Sequence, residues 1–74
     1  NPTTSIKFSL PKNEVVSIKI YDVLGKEVAN VMNEFKNAGT YEVNFNAFAL
    51  SSGVYFYKMT AGSYSSIKRM VVLK

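Results

Sequence analysis

Val15-Val16-Ser17-Ile18-Lys19-Ile20-Tyr21-Asp22-Val23-Leu24-Gly25 is the stretch on which the fold of this chain turns. Val16, Ile18 and Ile20 alternate with Val15, Ser17, Lys19 and Tyr21. That period of two sends one apolar set inward and the other set outward, the signature of a half-buried β-strand. Asp22-Val23-Leu24-Gly25 then suits a type I turn. Asp at the first position accepts from the backbone just ahead of it, and Gly at the fourth is free to take positive φ. A hairpin is expected here, with Gly25 as its structural glycine.

The same rhythm extends in both directions. Ile6, Phe8 and Leu10 alternate with Ser5, Lys7 and Ser9 and stop at the turn Pro11-Lys12-Asn13. After Gly25, the segment from Lys26 to Asn33 is read as the returning strand, although Val28, Val31 and Met32 also fit one helical face. Asn37-Ala38-Gly39 forms a turn, and Tyr41, Val43 and Phe45 alternate cleanly with Glu42, Asn44 and Asn46. Phe48 to Ser52 is a short connection with room for one helical turn, closed by Gly53. Val54 to Thr60 is β-branched and aromatic enough to be a strand. Its apolar side chains fall on both faces, Tyr55, Tyr57 and Met59 on one and Val54 and Phe56 on the other. Such a strand is either covered twice, or covered once with aromatics left for a partner. Ala61-Gly62-Ser63 makes a last hairpin turn, and Tyr64 to Lys74 returns as the final strand. Six to seven short strands without a long helical pattern predict an all-β fold, a small antiparallel immunoglobulin-like β-sandwich.

At 74 residues there is room for one domain. A domain of this size buries only about 60% of the surface its unfolded chain exposes, so its stability is modest. There is no cysteine and no histidine, which excludes disulfides, thiolate nucleophiles, zinc-thiolate sites and the commonest general base. The carboxylates are Glu14, Asp22, Glu27, Glu34 and Glu42, scattered along the chain with no spacing that argues for a catalytic pair. No enzymatic activity, no cofactor and no metal are expected. The longest unbroken apolar run, Met70 to Leu73, is far short of the ~20 residues that cross a bilayer. The opening Asn1-Pro2-Thr3-Thr4 has none of the regions of a secretory signal peptide, so the chain reads as a segment excised from a longer polypeptide.

Two binding chemistries can be tested against the residues. Tyr55, Tyr57, Lys58, Tyr64, Lys68 and Arg69 place aromatics beside cations, as single-strand nucleic-acid binders do. One arginine and a mild lysine excess fall short of a phosphate-tracking stripe, so no nucleic acid is expected. Tyr21, Tyr55, Tyr57 and Tyr64 could form a flat carbohydrate platform, or each could be an amphipathic ring at the core margin. No Asp/Asn cluster of the calcium-binding kind accompanies them.

Charge is distributed unevenly. Through Glu42 five lysines offset five carboxylates, and the remaining residues carry Lys58, Lys68, Arg69 and Lys74 against none, which is the whole net charge of +4. The run Ile67-Lys68-Arg69-Met70-Val71-Val72-Leu73-Lys74 is therefore a basic, apolar tail. Charges on an edge strand block edge-to-edge aggregation. Placed on a strand ending at the last residue, they also leave an exposed, peelable end that a partner can read by strand addition.

Four blocks in order carry a family resemblance: Asn1-Pro2-Thr3-Thr4 leading into Ile6-Lys7-Phe8, Ile20-Tyr21-Asp22-Val23-Leu24-Gly25-Lys26, Leu50-Ser51-Ser52-Gly53-Val54-Tyr55, and Lys68-Arg69-Met70-Val71-Val72-Leu73-Lys74. Together they resemble the type A C-terminal sorting domain of the type IX (Por) secretion system. That family looks like an immunoglobulin-like sandwich, related to the sandwich of the flagellar hook-capping protein, at the end of large secreted proteins of Gram-negative bacteria. The resemblance implies one domain, residues 1–74, acting as a non-catalytic address label for a covalently linked upstream cargo. It implies as partners the outer-membrane translocon and a sortase-like peptidase, and passage through the periplasm and outer membrane to the cell surface or medium.

The family's terminal signal falls on Lys68, Met70, Val71, Val72, Leu73 and Lys74, with Arg69 in the same run, and these residues are assigned to recognition. Its Gly-Val-Tyr motif falls on Gly53, Val54 and Tyr55, assigned to backbone geometry and packing. Family members commonly open with Pro-Asn-Pro, where this chain has only Asn1-Pro2, so the chain is expected to begin one residue inside the domain, without the linker where cleavage would occur. A monomer is expected. The other function class open on the residues is an accessory carbohydrate- or protein-binding β-sandwich module retained on a secreted enzyme.

Overall fold

The computed structural model describes residues 3–74, so Asn1-Pro2 of the opening block lie outside the described residues. Six strands run in order: β1 (Thr3–Leu10), β2 (Glu14–Tyr21), β3 (Glu27–Lys36), β4 (Gly39–Asn46), β5 (Gly53–Ala61) and β6 (Tyr64–Val72). They form two antiparallel sheets, β1-β4 and β3-β2-β5-β6. This is the expected small antiparallel sandwich, with six strands among the described residues.

The decisive stretch behaves as its periodicity requires. Val16, Ile18 and Ile20 are each 0% exposed and form the centre of the core. Full burial of such side chains contributes about 1.5–3 kcal/mol apiece. The Asp22 turn forms as expected: the Gly25 amide donates to the Asp22 carbonyl at 3.0 Å, and the Leu24 and Lys26 amides each donate to Asp22 Oδ1 at 2.9 Å. Gly25 sits at φ +84°, where a Cβ would be strained.

β3 is longer than the expected Lys26 to Asn33, and it contains the source of its ambiguity. Its ladder with β2 slips twice, because Ile18 pairs with Met32 while Lys19 pairs with Asn30, and Ile20 pairs with Ala29 while Tyr21 pairs with Glu27. Val31 and Val28 are the extra residues, two β-bulges three positions apart. Each bulge adds a half-buried valine beside an inward-facing neighbour, giving the pairs Val28/Ala29 and Val31/Met32. Two apolar pairs at a spacing of three imitate a helical face.

β5 lies centrally, between β2 and β6. Tyr55, Met59 and Ala61 are buried and Tyr57 half-buried on its inner face, while Val54 and Phe56 are half-buried on the outer one. The strand is thus covered once by the opposing sheet. Among the described residues there is no helix. The connection before β5 is a turn instead, in which the Phe48 amide donates to Asn46 Oδ1 and the Leu50 amide to the Ala47 carbonyl, both at 2.9 Å.

Two apolar clusters fill the sandwich. One gathers Ile6, Phe8, Leu10, Val16, Ile18, Met59 and Ala61, and the other Ile20, Ala47, Tyr55, Met70 and Val72. No polar or charged side chain is buried among the described residues.

Candidate functional site

The tail assigned to recognition is the second half of β6, and the strand ends at Val72 rather than Lys74. Gly62-Ser63 turns the chain into it. Positive φ is confined to Gly62, the pattern of a type II′ turn that matches the twist of the flanking strands. β6 pairs with β5 from Ala61↔Tyr64 to Gly53↔Val72. Its other edge has no strand partner among the described residues.

The pleat divides the tail. Met70 and Val72 point inward and are only 6% and 1% exposed, locked into the cluster with Ile20 and Tyr55. Arg69 and Val71 are exposed on the opposite, outer face. Lys68 occupies an inward-facing position opposite Tyr57, yet it is exposed because the two-stranded sheet does not reach over it. Leu73 and Lys74 follow the strand. The Lys74 amide donates to Ser52 Oγ at 3.1 Å, its ammonium donates to the Phe48 carbonyl, and Nζ lies 5.2 Å from the Phe48 ring centroid. The end expected to be peelable is therefore fastened to the turn before β5.

The register brings the two motif blocks face to face. Gly53 is opposite Val72, Val54 opposite Val71, and Tyr55 opposite Met70. Gly53 opens β5 at φ +157°, and the Tyr55 ring lies beside it while the Tyr55 hydroxyl donates to the Ser51 carbonyl at 2.8 Å. The same unit occurs at the start of β4, where Tyr41 donates to the Asn37 carbonyl at 2.6 Å with Gly39 between them. A tyrosine bonded to the backbone a few residues upstream fixes a strand corner in immunoglobulin-like sandwiches.

Beside Arg69, the outer face holds Phe56 and Ile67, which sequence reasoning assigned to no site. Arg69 is opposite Phe56, Ile67 is opposite Lys58, Phe56 is opposite Tyr21, and Lys58 is opposite Lys19. A shallow hollow of about 370 Å³ lies among Tyr21, Val23, Phe56, Lys58 and Ile67. Ile67 is 64% exposed. Its phase was readable, because it is an odd number of residues from Met70. Its neighbours across the sheet depend on register, which a single strand does not reveal.

The four tyrosines do not share a surface. Tyr55 and Tyr57 face inward and Tyr21 outward, so the flat platform of Tyr21, Tyr55, Tyr57 and Tyr64 does not form. Every carboxylate is accounted for locally. Asp22 closes its turn and Glu42 accepts from Ser5, while Glu14, Glu27 and Glu34 meet Lys12, Lys19 and Lys36 at 3.7, 3.6 and 2.8 Å. The hydrogen bond to Glu34 is the main reason the Lys36 ammonium holds its proton above the usual lysine range. Among the described residues no group of three His, Cys, Asp or Glu could hold a metal ion, and no helix is long and apolar enough to cross a membrane.

A family model described as the secretion system C-terminal sorting domain matches residues 1–73. Comparison with curated proteins and with solved structures finds no match. A match over essentially the whole sequence takes in both motif blocks that the β5–β6 ladder joins, and it does not rest on the basic tail alone. The chain belongs to the family of type IX secretion C-terminal sorting domains, the signals that mark proteins for export or for the cell surface.

Proposed function

We propose that this domain, residues 1–74, is a non-catalytic address at the end of a longer secreted polypeptide, read by the outer-membrane translocon through the exposed half of β6. Arg69 and Val71 on the outer face, together with Lys68, Leu73 and Lys74, make the contacts. Met70 and Val72 act by holding the strand in place. The observation that carries this reading is the position of β6, an edge strand whose basic and apolar side chains lie in the open beside a backbone edge with no strand partner among the described residues. Such an edge supports strand addition, and the cations steer an acidic partner toward it. After passage through the periplasm and outer membrane of a Gram-negative bacterium, a sortase-like peptidase acts upstream of the domain.

The test is export of a periplasmic fluorescent reporter fused to this chain in a type IX-competent host. The variants compared are Arg69→Glu with Val71→Thr, and separately Lys58→Gln as a charge change outside the tail. The intact and Lys58→Gln fusions should reach the surface or medium, and the double variant should remain in the periplasm although folded. Export of the double variant at the unmodified level would refute recognition through β6.

A further inference from the structure

Among the described residues a four-stranded sheet is faced by only two strands, and the shortfall lies on one side. Cover is complete over the end of β6, where Met70 and Val72 are buried. It fails over the first half, where Ser66 is half-buried and Lys68 exposed although both pair with inward-facing residues of β5. The uncovered strip is a groove of about 470 Å³ between β1 and the β5–β6 hairpin. Tyr57, Met59 and Ala61 line it from β5, and residues 6–10 line it from β1. Five consecutive residues can line a groove only along the edge of a strand, because a face would present alternate ones. Among the described residues β1 pairs with β4 alone, so along Ile6 to Leu10 its second edge carries backbone groups that can pair with another strand.

We propose that this groove accepts an extended, acidic and apolar segment of a protein partner, which adds to β1 as a third strand and covers the open strip. Five residues of edge give room for about five paired residues, roughly 17 Å. Strand addition draws affinity from the backbone ladder and specificity from alternate side chains. Inward-facing apolar side chains of the segment rest on the half-buried Tyr57 and Ser66, over the little of Met59 and Ala61 that stays accessible, and a carboxylate reaches Lys68. The charges lining the groove are Lys7, Lys12 and Lys68 against Glu14, and Lys12 already engages Glu14 at 3.7 Å. Among the described residues Lys68 has no carboxylate within ion-pair distance. A second copy of this chain is a poor occupant, because it sets a net charge of +4 against another +4.

This surface shares Lys68 with the export reading but not the outer face or the free edge of β6, and its test does not depend on export. The isotope-labelled chain is titrated with a capped peptide, Thr-Val-Thr-Val-Thr-Glu-Thr, and with the same peptide carrying Lys for Glu, while amide shifts and exchange rates are followed. The Glu peptide should shift residues 3–10 and the inward positions of β5 and β6, and should slow exchange of β1 amides. The Lys peptide should bind about fivefold more weakly, and Lys68→Glu, a change at an exposed site, should reverse that preference. No shift at millimolar peptide, shifts confined to the outer face, or equal binding of both peptides overturns the proposal. Concentration-dependent shifts in β1 without peptide would assign the groove to a second copy and overturn it as well. A chain that exports its reporter but binds neither peptide removes this inference and leaves the export reading standing.

Discussion

Tyr55 shows how a single residue can serve a motif without belonging to a contact surface. Its ring is buried, its hydroxyl is satisfied by the Ser51 carbonyl, and Gly53 leaves room beside it. Removing the hydroxyl in Tyr55→Phe forfeits one partly buried hydrogen bond, worth about 0.5–1.5 kcal/mol. Gly53→Ala forces a Cβ onto φ +157° and should cost about 1–3 kcal/mol. Urea unfolding reads both. Losses of that size with unchanged outer-face shifts are expected, and a neutral Gly53→Ala would mean that the backbone there relaxes without strain. The periodicity of the sequence placed Tyr55 and Met59 on one face but did not say which face was covered. That choice depends on the register with β2, where Tyr57 falls opposite Ile20 and Met59 opposite Ile18.

At the level of elements, β2 and β3 mark the two ends of legibility. β2 has a pure period of two, and all three of its inward residues are fully buried as read. In β3 the bulges at Val28 and Val31 insert one residue each, so the pattern drifts from two toward three. A bulge is a property of a pair of strands, and no reading of one strand contains it. β6 is intermediate: its alternation was legible, but the tail looked like one continuous signal until burial separated Met70 and Val72 from Arg69 and Val71. That separation predicts opposite phenotypes on adjacent residues. Met70→Ala should lower stability by about 2–5 kcal/mol through the cavity it leaves. Arg69→Glu, on an exposed position, should stay within about 0.5 kcal/mol. Chemical denaturation of the two variants decides the matter. A stable Met70→Ala would show that the cluster with Ile20 closes over the gap.

For the whole molecule, the division of β6 determines what a truncation can mean. With 74 residues and no disulfide, the domain has a total stability of roughly 4–11 kcal/mol. Deleting Lys68 to Lys74 removes two buried side chains, together worth about 3–6 kcal/mol. It also removes the β5 pairings of residues 68 to 72 and exposes the Tyr55 face of the second cluster. The loss is of the same size as the whole, so the truncated chain is expected to lose its cooperative unfolding transition and the dispersion of its amide spectrum. A reporter carrying it would then stay in the periplasm for want of a folded domain, whatever the translocon reads. Substitutions confined to Lys68, Arg69, Val71 and Lys74 leave the buried pair in place and separate the two causes. Circular dichroism melting of the truncated chain beside the substituted ones is the deciding measurement. A truncated chain that melts cooperatively near the temperature of the intact one would show that β5 closes the core without β6, and the tail would then be a detachable address after all.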